Sequence, residues 1–70
     1  MLHYTPKIFL VFKLPDGSTR EGFFRQSQPL REIISSFGVS GSAKLGKVKL
    51  DQSKNVGQLG LKNDDLIVVR

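Results

Sequence analysis

Hydrophobic residues occur in short runs along the chain, and the spacing within each run predicts a secondary structure. Residues 7–14 read KIFLVFKL, an apolar run of strand length that is rich in aromatic and β-branched side chains. Residues 15–18 read PDGS, which combines the fixed φ of proline, a side-chain acceptor and a glycine that tolerates positive φ. The pattern therefore predicts a hairpin in which residues 19–25 return as the second strand.

The apolar positions that follow have the period of a helix. Residues 27–29 offer a polar cap and a proline suited to a first helical turn, and Gly38 suits a C-terminal end. The residues between them place four apolar side chains on one helical face: Leu30, Ile33, Ile34 and Phe37.

The second half of the chain contains shorter signals. Residues 39–42 form a Gly- and Ser-bearing connection, and residues 47–50 alternate basic and apolar side chains as a strand with one solvated face would. Residues 51–62 are turn-like, with Val56, Leu59 and Leu61 as expected core residues, and residues 66–69 form a closing apolar strand.

The order of these elements predicts an α+β fold. A first strand that is apolar at almost every position is expected in the centre of a sheet, and parallel pairing with the last strand places it there. We expect a four- to five-stranded mixed sheet with one helix packed across one face, which is the β-grasp arrangement. Residues 7–70 form this domain, and residues 1–6 are expected to be a flexible N-terminal segment.

The sequence resembles the ubiquitin-like superfamily over roughly residues 7–70. Its first half is most similar to UBX domains, through the turn motif 14–17 (LPDG), Phe24 eight residues after Asp16, and the helix face that begins six residues later. The closing stretch 56–69 (VGQLGLKNDDLIVV) resembles the end of ubiquitin, and residues 43–48 (AKLGKV) resemble TGS domains of proteins that handle RNA.

This resemblance implies a ubiquitin-like β-grasp module, but two of the functional motifs are different here. UBX domains that bind an AAA ATPase use a Phe-Pro-Arg loop, which is absent, although Lys13 resembles their basic residue on the first strand. Modifiers and sulfur carriers end in Gly-Gly, whereas the sequence given ends in Val69-Arg70, so we expect a non-covalent role.

Composition restricts the classes of function. The sequence has 70 residues, enough for one domain, with eleven Lys and Arg against six Asp and Glu, a net charge of +5 that favours acidic partners. It has no cysteine and no apolar run of membrane-spanning or signal-peptide length, so we expect an intracellular protein, cytoplasmic or nuclear. We also expect a monomer or a weak oligomer.

No catalytic constellation stands out. The only histidine is His3, no glycine-rich phosphate loop is present, and the carboxylates lie mainly in predicted turns or on solvated faces. Asp64 and Asp65 are adjacent acids at a strand entry, which are more often turn residues than metal ligands. We therefore expect no enzyme, no metal site and no cofactor.

The candidate binding site is the face of the sheet that the helix does not cover. If Leu10, Phe12 and Leu14 point toward the helix, alternation sends their neighbours to the opposite side. The predicted partner-binding residues are an apolar group with a basic rim: Phe9, Val11, Lys13, Phe23, Lys49, Val68 and Arg70. The plain alternative is that Phe9 and Val11 satisfy strand propensity, or are covered by Tyr4 and Pro6.

These observations favour a non-covalent ubiquitin-like module that binds an acidic or apolar surface of another protein through this face. A TGS-like basic accessory that contacts RNA is the first alternative. A small regulatory subunit or domain of a larger enzyme is the second.

Overall fold

The computed structural model describes residues 7–70, so the expectations for residues 1–6, including His3, Tyr4 and Pro6, lie outside the described residues. The elements, in chain order, are β1 (Lys7–Lys13), β2 (Thr19–Arg25), α1 (Leu30–Ser36), β3 (Ala43–Leu45), β4 (Val48–Lys49) and β5 (Asp65–Val69). The sheet has five strands in the order β2-β1-β5-β3-β4. Strand β1 pairs antiparallel with β2 and parallel with β5, so it is an interior strand with both edges paired, as the sequence predicts.

The β1–β2 hairpin is closed by the predicted PDGS turn. The Leu14 amide donates to the Ser18 carbonyl at 2.8 Å, and Gly17 takes a φ of +89°, which glycine adopts without steric cost. Asp16 accepts hydrogen bonds from both the amide and the hydroxyl of Ser18, at 2.9 and 2.6 Å. Local chemistry therefore sets the register of the hairpin.

The core lies between the helix and one face of the sheet. Alternate residues of β1 are buried, starting at Ile8, and they share one cluster with the buried face of α1 and with Ile67 and Val69 of β5. The ring of Phe12 is fully buried, with centroids 5.5 Å from Phe24 and 5.1 Å from Phe37. The predicted inward direction of Leu10, Phe12 and Leu14 is confirmed.

The helix begins differently from the sequence expectation. Its N-cap residue is Pro29, which supplies no side-chain hydrogen bond. The amides of Leu30 and Arg31 instead donate to the carbonyls of Lys54 and Gln52, at 3.1 and 3.0 Å. Backbone carbonyls of the 51–62 segment thus replace the predicted side-chain cap, because the first amides of a helix have no acceptor within the helix.

The expected strand over residues 47–50 is in fact the second arm of a hairpin. Residues Ala43–Leu45 and Val48–Lys49 pair antiparallel around a turn in which Gly46 has a φ of +61°. The arm Ala43–Leu45 also pairs with β5, so this hairpin forms one edge of the sheet.

Candidate functional site

The candidate site is the outer face, meaning the side of the sheet that faces away from α1. Cross-strand pairing brings Phe9 opposite Phe23, and Lys13 opposite Val68 of the parallel neighbour β5. Lys49 joins this set through Lys44, which pairs with both Val68 and Lys49. Val11 pairs with Leu66 in a further row, so six of the predicted residues are placed in rows across the sheet, and Arg70 continues β5 on the same side.

One half of this face has an apolar group that will be called the aromatic end: Phe9, Val11, Phe23 and Leu66. Exposed charged residues border it, with Lys7 and Arg25 paired beyond the two rings and Glu21 beside Val11. The Phe9 and Phe23 rings lie with centroids 5.3 Å apart at an angle of 59°. Phe23 remains 67% exposed and Leu66 47% exposed, whereas Phe9 and Val11 are half-buried. Val11 lies between Glu21 and Leu66 in the next row of the sheet.

The other half carries exposed cations around half-buried Val68 and will be called the basic end: Lys13, Lys44, Lys49, Val68 and Arg70. A depression of about 570 Å³ occupies most of it and is lined by Ser42, Lys44, Gly46, Lys49, Val68 and Arg70. A second hollow of about 360 Å³ extends from Val68 and Arg70 to Lys13 and the β1–β2 turn. The two hollows share Val68 and Arg70, and each of the four cations lines at least one of them.

Backbone contacts hold both ends of this face in place. The Phe9 amide donates to Asn63 Oδ1 at 2.8 Å, and the Asp64 amide donates to the Phe9 carbonyl at 2.8 Å. At the opposite end, Ser42 and Arg70 exchange two backbone hydrogen bonds, of 2.7 and 2.9 Å. The backbone that carries the aromatic and basic ends is thus fixed by pairing.

Two outer-face residues, Leu66 and Lys44, were not predicted from the sequence. Leu66 lies two positions before Val68, so the period-two rule could have found it. Lys44 had no such signal, because its strand was not predicted. Phe23 points outward, as predicted, while its neighbour Phe24 packs against buried Phe12 on the inner side.

The turn carboxylates are engaged locally. Hydrogen bonds from the Ser18 side chain and backbone lower the pKa of Asp16, and hydrogen bonds from the Ser53 side chain and backbone lower the pKa of Asp51. Both carboxylates are therefore ionised at neutral pH and already hold donors of their own. Their negative charge lies in turns and not within the rows of the outer face.

In the part of the chain that the structure describes, no three His, Cys, Asp or Glu side chains are grouped so as to hold a metal ion. Among residues 7–70, no helix has both the length and the apolar character needed to span a bilayer.

Comparison with known proteins places this geometry among known folds. No family model and no curated protein sequence matches the chain. A solved structure described as molecular mimicry of SUMO that promotes DNA repair superposes with a TM-score of 0.81 at 14% identity, covering 99% of this chain and 95% of the other. The chain has the ubiquitin-like β-grasp fold.

Two further structures agree with this assignment of the ubiquitin-like fold. A ubiquitin-like domain of an Arabidopsis thaliana protein has a TM-score of 0.73 at 15% identity, covering 91% of this chain and 76% of the other. The N-terminal ubiquitin-like domain of the 4931431F19Rik protein has a TM-score of 0.70 at 16% identity, with 96% and 76% covered. At these identities the likeness concerns the fold, and the closer resemblance to UBX or TGS domains stays a prediction.

Proposed function

We propose that this ubiquitin-like domain binds another protein non-covalently through the outer face. The observation that supports the proposal is the exposure of adjoining apolar side chains at the aromatic end, led by Phe23 at 67% and Leu66 at 47%. Apolar side chains that are contiguous and exposed typically mark interaction sites, whereas isolated ones do not. This role requires no catalytic group or cofactor, and an intracellular site of action stays a prediction.

Strand propensity accounts for only part of this pattern. The pairing of Phe9 with Phe23 stabilises the hairpin by about 0.2–1 kcal/mol, as cross-strand aromatic pairs do. A smaller or more polar residue at position 23 would nevertheless serve the strand, because the Phe23 side chain keeps two thirds of its surface in water. Leu66 is exposed on a strand whose inward residues already fill the core. A protein that bound here would remove the exposed apolar surface of Phe23 and Leu66 from water.

A photo-crosslinking experiment tests the proposal. A benzophenone amino acid placed at Phe23 is compared with the same group at Val48, which is 63% exposed but lies at the sheet edge opposite core-packed Leu45. We expect a discrete cross-linked protein from position 23 and none from position 48. After its identification by mass spectrometry, Phe23→Ser should abolish its binding, and Val48→Ser should leave it unchanged.

Two results count against the proposal. Equal cross-linking from both positions means that the contacts are not specific to the outer face. Loss of binding by both serine variants, with the fold retained in their circular dichroism spectra, has the same meaning.

A second candidate function is contact with RNA, which the four cations of the basic end favour. Phosphate binding releases counterions, so affinity for an RNA oligomer should fall steeply as salt is raised. Filter binding at several salt concentrations separates the two functions, because a weak or salt-insensitive RNA signal removes this candidate. If the domain is a regulatory part of a larger enzyme, its outer face would contact the rest of that enzyme. This alternative is therefore one form of the protein-binding proposal.

A further inference from the structure

Among residues 7–70, the outer edge of strand β2 is unpaired. Strand β2 ends the sheet on its side and has β1 as its one neighbour. The Phe9 amide and carbonyl bond toward β5, so Phe9 exchanges no hydrogen bonds with Phe23 across the hairpin. In an antiparallel ladder, Phe23 then directs its own amide and carbonyl outward, and Glu21, two positions earlier, does the same.

A turn closes this edge at one end. The Arg25 amide donates to Gln28 Oε1 at 2.8 Å, and the Arg25 carbonyl accepts from the Gln28 amide at 3.1 Å. The stretch that remains open to another strand is therefore residues 19–24.

The charges of this edge favour a second copy of the same chain as the added strand. Edge strands are commonly protected by charges that repel an identical strand. Strand β2 instead has Glu21 and Arg25, of opposite sign, four residues apart on the outer face. Antiparallel pairing brings the Glu21 of one copy near the Arg25 of the other. Arg25 also lies directly opposite Lys7, an unfavourable like-charge pair, and a carboxylate from the second copy offsets this repulsion.

We propose that two copies of this domain pair antiparallel through β2, with the two-fold axis at Gly22. In this register, the amide and carbonyl of Glu21 bond with those of Phe23 in the second copy, and the symmetry repeats the exchange. On the outer face, Glu21 is then a diagonal neighbour of Arg25 in the second copy. This inference goes beyond the proposed function and does not depend on it.

The two neighbouring registers fit less well. An axis at Glu21 places two Glu21 carboxylates directly opposite each other, which is unfavourable. An axis at Phe23 requires the backbone groups of Arg25, which Gln28 already holds. The axis at Gly22 avoids both problems and pairs the open groups with one another.

The proposed dimer is closed and leaves the outer faces free. The remaining edge strand of each copy, Val48–Lys49, is two residues long, so further growth of the sheet is not favoured. Both outer faces lie on the same side of the joined sheet, because residues opposite each other share a face. On the helix side, Arg20 lies opposite Phe24 of the second copy, where a cation–π contact can form. A contact of this length is small, so we expect a weak dimer.

Sedimentation velocity over about a hundred-fold range of protein concentration tests the proposal. We expect a monomer at low concentration and a dimer at high concentration. Glu21→Arg and Arg25→Glu should each weaken the dimer about ten-fold, because each change makes two attractive charge pairs repulsive. The double variant should restore the dimer, since the charges then exchange places. The matched controls are Glu32→Arg and Arg31→Glu, equal charge changes on exposed residues of α1, which should leave dimerisation unchanged.

Two further measurements report the strand pairing. Glu21→Pro removes an outward amide and none of the hydrogen bonds of the β1–β2 ladder, so it should abolish the dimer and retain the circular dichroism spectrum. Glu21→Thr loses the same charge but keeps the amide, so it should weaken the dimer without abolishing it. In a mixture of labelled and unlabelled protein, a nuclear Overhauser effect between the Gly22 α-protons of the two copies identifies the register, because their Cα atoms are about 4.5 Å apart.

Several results would overturn the inference. A monomer at every concentration does so and leaves the proposed function to its own cross-linking test. A dimer that is insensitive to the charge changes at Glu21 and Arg25, or that lacks the Gly22 signal, does not pair as described. If the domain stays monomeric and Glu21→Pro abolishes binding of the cross-linked protein, the edge belongs to that protein. If position 23 cross-links only to a second copy, self-pairing stands and the proposed function fails.

Discussion

The alternation of side chains along the β1–β2 hairpin can be tested by comparing two phenylalanines. Phe12 and Phe23 lie on these two strands, but one faces the helix and the other faces away. Replacing each with alanine removes the same atoms from the two sides of the sheet. Any difference in the free energy of unfolding therefore reports burial and packing.

The structure gives the expected magnitudes. Phe12 is 0% exposed and its ring contacts two others, so Phe12→Ala should cost about 3–5 kcal/mol, the usual range for a buried phenylalanine. Phe23 is 67% exposed and has one ring partner, Phe9, so Phe23→Ala should cost no more than about 1 kcal/mol. A domain of 70 residues has a total stability of about 4–10 kcal/mol, so only the first change threatens folding.

Urea unfolding followed by circular dichroism measures both values. With a slope of about 1 kcal/mol per molar urea, Phe12→Ala should lower the midpoint by about 3 M or leave the protein unfolded in buffer. Phe23→Ala should lower it by about 1 M or less. Similar losses for the two variants would refute the inward and outward assignment, and with it the outer face as described.

Two other perturbations have specific expected outcomes. Gly41 has a φ of +149°, and a Cβ there would lie 2.2 Å from the Arg70 carbonyl oxygen. Gly41→Ala should therefore cost about 2 kcal/mol or more in thermal unfolding, whereas Gly46→Ala, at a φ of +61° with no atom nearby, should cost about 1 kcal/mol; equal costs would contradict the close approach. The lowered pKa of Asp16 stabilises the folded state above the ordinary aspartate pKa, and this contribution is lost as pH falls below about 4. Ser18→Ala, which removes the main cause of that shift, should lower Tm at pH 6 by more than at pH 3, and a pH-independent difference would argue against the hydrogen bond as its source.

Local patterns were sufficient to predict the hairpin, the buried helix face and most of the core. The strand predicted over residues 19–25 is found as Thr19–Arg25, because the PDGS turn reverses the chain within four residues and the returning segment pairs at once with the strand before it. Gly38 at the helix end takes a φ of +74° and donates to the Ser35 carbonyl at 3.0 Å, as its position after Phe37 predicts.

Long-range contacts decided the features that the sequence analysis missed. The helix amides find acceptors at Gln52 and Lys54, more than twenty residues away, and no cap motif in the sequence signals such a partner. The strand Ala43–Leu45 is only three residues long and is defined by its pairing with β5 as much as by its own pattern.

The candidate site was likewise set partly by local sequence pattern and partly by tertiary structure. Alternation on β1 assigned Phe9, Val11 and Lys13 to one face from the sequence alone, since successive side chains of a strand must point to opposite sides. The rows across the sheet came from tertiary structure, because the register between β1, β5 and β3 depends on a parallel crossover and on a short hairpin. That register placed Lys44 between Val68 and Lys49, and so made scattered lysines into one basic end.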